Sequence, residues 1–82
     1  MNVDEVISLQ NGCNYGLLLK SNLDGGIYFL AVQLNNNDEP TDNYKVLKEI
    51  KKNDELFVVE EKDPLILYKL LEDYRVQSEN EN

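Results

Sequence analysis

The chain has no histidine and no tryptophan, and only one cysteine, one methionine and two prolines among its 82 residues. Each shortage closes a route. Without histidine, the commonest general base and metal ligand is missing. A lone thiol, Cys13, excludes an internal disulfide and an all-cysteine metal cage. No apolar run approaches the ~20 residues that a membrane-spanning helix needs. The opening "MNVDEVISLQ" is acidic where a secretion signal would be basic and then long and apolar. A soluble, cytoplasmic protein with no membrane partner is therefore expected, folding on one core near the lower size limit for doing so.

Positive charge is also scarce, with 8 bases against 16 acids and a net charge of −8. Such a surface repels nucleic acid and anionic lipid, so neither is an expected direct partner. It favours a basic protein partner, although keeping a small domain soluble is the plainer role for the charge. The distribution is uneven: residues 1–42 carry −5, residues 43–52 ("NYKVLKEIKK") carry +3, and residues 53–82 carry −6. The four lysines of the basic island are expected to balance neighbouring carboxylates.

The patterning that is present reads as strands followed by a helix. "EVISLQNGCNYGLLLK" suggests two strands joined at Asn11-Gly12 by a two-residue turn of type I′, which both residues tolerate. Ile7 and Leu9 would face the core from the first strand, and Tyr15, Leu17 and Leu19 from the second. After a turn at "LDGG", the run "IYFLAVQL" (Ile27 to Leu34) is apolar on both faces and reads as a central strand. Tyr28, Leu30, Val32 and Leu34 share one face; Ile27, Phe29 and Ala31 share the other. "NNNDEPTDN", Asn35 to Asn43, reads as a polar loop punctuated by Pro40. Its spacing is wrong for a calcium-binding loop, which needs a central glycine and a final glutamate between two helices.

"YKVLKEIKK" fits either a strand, with Tyr44, Val46 and Ile50 on one face, or a helix capped by Asp42. The following "KNDELFVVEE" has the shape of a return strand after a turn at Asn53-Asp54, which makes the hairpin the more economical reading. Asp63-Pro64 is a helix start, with Asp63 as N-cap and proline at the first helical position. From there Leu67, Leu70, Leu71 and Tyr74 recur at helical spacing, with Leu70 and Leu71 expected to be buried and Arg75 expected to close the last turn. The remaining "QSENEN" reads as a disordered polar tail, so the expected domain is 1–76 with a tail at 77–82.

No catalytic constellation emerges. Cys13 has no imidazole to activate it and no basic neighbour in sequence, and reads as a structural thiol. The adjacent pairs Asp4-Glu5, Asp38-Glu39, Asp54-Glu55 and Glu60-Glu61 point to opposite faces if they lie in strands, so adjacency does not make a catalytic dyad. Asp24-Gly25-Gly26 is too short for a phosphate-binding loop and is not followed by a helix. The seven aromatics lack the electropositive groove of a sheet that stacks RNA bases, and packing roles are expected for them.

From "GGIYFLAVQL" through the acidic-capped helix, the chain resembles the YrzB-like family of small acidic proteins from low-GC Gram-positive bacteria, a domain of unknown function. The resemblance lies in order and pattern: a tyrosine-led apolar strand at Tyr28 to Val32, and a polar loop from Asn35 to Asp42. A tyrosine-containing strand at Tyr44 to Leu47, an apolar strand at Leu56 to Val59 and the terminal helix complete it. This chain is less acidic between Tyr44 and Lys52. The resemblance implies a strand at residues 44–50, transfers no activity or catalytic residue, and hints at a nucleic-acid-processing protein as partner.

The expectation is an α+β domain: a mostly antiparallel sheet of four or five strands with one C-terminal helix on one face. One helix leaves the other face of the central strand bare, so the sheet must curl strongly around it or a second copy must cover it. A curled monomer is preferred to a homodimer. In function, a non-enzymatic protein acting through protein contacts is expected, with no cofactor, no metal and no catalytic residue. The alternative is a DNA mimic that inhibits a nucleic-acid-binding protein.

Overall fold

A computed structural model describes residues 3–80. Five strands follow one another in chain order and pair only with their neighbours: β1 (Val6–Ser8), β2 (Asn14–Leu23), β3 (Gly26–Leu34), β4 (Pro40–Lys52) and β5 (Glu55–Glu61). Every pairing is antiparallel. One helix, α1 (Pro64–Asn80), completes the chain. Residues 44–50 are therefore strand, inside the longest strand of the sheet.

Turn chemistry sets the register. At Asp24-Gly25 (φ 51° and 82°) and Asn53-Asp54 (φ 53° and 64°), both central residues are left-handed, as a type I′ turn requires. Leu23 then pairs with Gly26, and Lys52 with Glu55. The first turn differs from its sequence reading. Only Gly12 is left-handed there (φ 83°); the Leu9 carbonyl accepts from Gly12 N–H, and Leu9 N–H donates to the Cys13 carbonyl. This is a three-residue loop ending in a left-handed residue, so the first strand stops at Ser8. The same geometry recurs at Asn35 to Glu39, with Asp38 left-handed at φ 60°. That loop is also shorter than the sequence suggested: β4 begins at Pro40, because the first position of a strand tolerates a residue without an N–H.

Both faces of β3 are buried, by different means. On the outer face, Leu19, Tyr28, Leu30 and Val46 pack with Leu70 of α1, and Ile66, Leu67, Leu71 and Tyr74 border them. On the inner face, Tyr15, Leu17, Phe29, Ala31 and Leu47 form a second cluster that touches no helix. Ile7 from β1 and Val58 from β5 both pack against it, so the sheet curls into a half-barrel around this cluster. Phe29 is 0% exposed in a single chain. Curling alone hides it.

One residue lets β2 serve both layers. Leu17 pairs with Ala31 but Leu19 pairs with Leu30, which leaves Leu18 as a bulge. The extra residue inverts the alternation, placing Leu17 inside and Leu19 outside. The two leucines thus serve opposite faces, where strict alternation puts both on one. Bulges also tighten twist, which favours the curl. Gly25 and Gly26 form a turn and its flank rather than a bend within a strand.

Helix α1 begins as the sequence predicts. Asp63 Oδ1 accepts from Leu65 N–H at 2.9 Å, and the Asp63 carbonyl accepts from Ile66 and Leu67 N–H. Its end differs from expectation: the helix continues to Asn80, since "VQSEN" contains neither glycine nor proline to stop it. Arg75 thus lies inside the helix, bonded to Glu72 across one turn, and the last turn holds no base. Residues 77–80, read as disordered tail, are helical; positions 81–82 of that tail lie outside the described residues. Leu70 is fully buried, but Leu71 only half-buried. No helix among the described residues is long and apolar enough to cross a membrane.

Candidate functional site

The edge of the sheet at β5 exposes most of a continuous run of apolar residues. Its sequence, "ELFVVEE", places four apolar residues in a row. Pairing with β4 sets Leu56, Val58 and Glu60 on the inner face, opposite Lys51, Glu49 and Leu47. Phe57, Val59 and Glu61 fall on the outer face, opposite Ile50, Lys48 and Val46. Only Val58 reaches the inner cluster. Leu56 is 54% exposed, Phe57 47% and Val59 45%. Sheet edges are ordinarily blunted by proline, bulges, shortness or charges within the strand. The opposite edge, β1, is short, at three residues. Between Leu56 and Val59, β5 uses none of these devices.

An open cleft of about 1010 Å³ runs along this edge. The first turn, Ser8 to Asn11, forms one bank; Leu56 to Glu60, with Ile50, Lys45 and Lys52, forms the other. It is the unclosed seam of the half-barrel, lying between its first and last strands. Lys45 braces the wall: its Nζ lies 3.0 Å from Glu60 Oε1 and 5.8 Å from the Tyr15 ring centroid. The hydrogen bond to Glu60 holds the Lys45 ammonium above its ordinary pKa. Neither Glu55 nor Glu61 forms an ion pair among the described residues.

The residues weighed for chemistry are dispersed. Cys13 packs against the inner cluster, and its Sγ accepts from Gln33 Nε2 at 3.4 Å. The Gln33 amide is itself held by Asn43 Nδ2, so an amide rather than a base faces the thiol. Asp4, Asp24, Asp38 and Asp54 all have positive φ, between 51° and 74°. These acids serve backbone geometry, since aspartate tolerates the left-handed region. β5 sends Glu60 and Glu61 to opposite faces, and Lys45 engages the first. Among the described residues, no three histidine, cysteine or acidic side chains are grouped to hold a metal.

Of the aromatics, Tyr15, Tyr28 and Phe29 are buried and Tyr74 borders the outer cluster. Tyr44, Phe57 and Tyr68 are exposed, contrary to the packing role expected for all seven. The signal missed in the sequence was position, because a strand that is apolar on both faces reads as central until the topology puts it at the edge.

Compared with known proteins, the chain matches no protein-family model, no curated protein and no solved structure.

Proposed function

We propose that this protein is a non-enzymatic contact module that works by binding another protein along the open edge of its sheet. The observation that carries this reading is the exposure of Leu56, Phe57 and Val59 on a strand paired on one side only. An edge of this kind offers a row of backbone donors and acceptors for strand addition, with alternating side chains for specificity. The DNA-mimic alternative calls for carboxylates held in a phosphate-like row. The alternation of β5 and the Lys45–Glu60 bond work against such a row. The acidic balance of the chain favours a basic partner, as it would for a protein that works beside nucleic-acid-processing enzymes.

Affinity capture from the native lysate, with the wild type beside a Phe57→Lys, Val59→Lys variant, tests this. Both substitutions lie on exposed outer-face positions, so the fold should persist. The expected result is capture of proteins by the wild type that resists moderate salt and is lost in the variant, because an apolar, backbone-paired interface is weakly screened. Identical capture by both proteins would show that the edge is not the contact surface.

A further inference from the structure

From the edge described above, we infer the chemistry of the occupant: an extended segment of another protein, apolar at its centre and carrying lysine or arginine at both ends, which fills the seam as a sixth strand. This rests on the contact-module reading and adds the identity of the ligand class. Glu55 and Glu61 bracket Leu56 to Val59, and neither carboxylate is engaged in an ion pair among the described residues. Residues 54–63 carry five acids and one base. The lysines of β4 offset this only in part. Lys45 is engaged by Glu60 and Lys48 stands over the Tyr28 ring. Lys45 and Lys52 also reach the cleft, but the first is held by Glu60 and the second stands directly across from Glu55, so the acidic excess of residues 54–63 is reduced and not reversed.

The seam also prescribes side-chain alternation. Residues of the added strand that point inward meet Leu9, Leu56 and Val58; those that point outward meet Phe57 and Val59. A strand matched to β5 spans about 20 Å between the two carboxylates, so its basic residues stand five or six positions apart. A second copy of this chain fits less well. Two β5 strands paired antiparallel about Val58 would set Glu55 against Glu61 twice, between molecules that each carry −8.

The test titrates a capped seven-residue peptide, lysine at both ends and valine alternating with threonine between them, into the isotopically labelled protein. A peptide with glutamate at both ends is the control, and amide shifts are read by NMR. The lysine-ended peptide should shift residues 8–11 and 55–61, and the glutamate-ended one should not. Glu55→Lys with Glu61→Lys should weaken the lysine-ended peptide on the order of tenfold or more and admit the glutamate-ended one. Glu55→Gln with Glu61→Gln provides a milder pair should lysine at position 55 disturb its cross-strand neighbour Lys52. Equal binding of both peptides, or shifts confined to other surfaces, would overturn the assignment. So would concentration-dependent dimerisation through β5. If peptide selectivity fails while the Phe57→Lys, Val59→Lys variant still loses its captured proteins, the occupant is wrong and the contact module stands; if both fail, the edge has no such role.

Discussion

Replacing Phe29 by alanine tests the curl directly. The ring is 0% exposed and sits among Tyr15, Leu17, Ala31 and Leu47, on the face with no helix. Removing a buried phenylalanine costs about 3–5 kcal/mol, through lost transfer energy and the cavity left behind. A domain of this length has about 4–12 kcal/mol of stability in all. What remains lies anywhere from about zero to about 9 kcal/mol, so the shift of the midpoint is the quantity to read. With a urea dependence of about 1–3 kcal/mol per molar, the midpoint should fall by at least about 1 M. Urea melts followed by far-ultraviolet circular dichroism and tyrosine fluorescence, at two protein concentrations a hundredfold apart, supply the measurement. Because strands of the same chain bury Phe29, neither the wild-type midpoint nor the loss should depend on concentration. A wild-type midpoint that rises with concentration, and ceases to do so in the variant, would mean that a second copy covers this face. A loss below about 1 kcal/mol would mean that the ring is not in a packed core.

Two further outcomes follow from the outer layer and the seam. Leu70→Ala should cost about 2–5 kcal/mol and Leu71→Ala distinctly less, since the first is fully buried and the second only half; equal midpoints for the two variants in urea would place the helix at the wrong rotation. The raised pKa of Lys45 means that its bond to Glu60 stabilises the fold fully below about pH 10.4, the ordinary lysine value, and that this contribution fades as pH rises through the folded value. Glu60→Gln should remove that alkaline component, worth at most about 1 kcal/mol, and melting profiles for variant and wild type that run parallel across the alkaline range would exclude it.

Much of this architecture could be read from local chemistry. Asp24-Gly25 and Asn53-Asp54 mark their turns because few residues accept two successive positive φ values, and Asp63-Pro64 marks a helix start because both residues suit the free N–H groups there. What escaped reading depended on neighbours distant in sequence. The bulge at Leu18 leaves no trace in "GLLLK", because three consecutive leucines fit either phase. Pro40 looks like a loop residue until its strand position is known to be the first. The candidate site was hidden for the same reason. "LFVV" signals burial, and only the strand order shows that β5 has nothing on its far side.

The strict chain order of the sheet also bears on how the molecule is made. Each strand pairs with the one synthesised just before it, so every pairing closes a short loop and waits for nothing downstream. The inner cluster is complete once Val58 has emerged. The outer one is not: Leu19, Tyr28, Leu30 and Val46 have no cover until the 17 residues of α1 follow. At the usual pace of translation that interval lasts about 1–3 s. A chain arrested at Asp63 would be a curled sheet with an oily back, able to adhere to whatever apolar surface it met first.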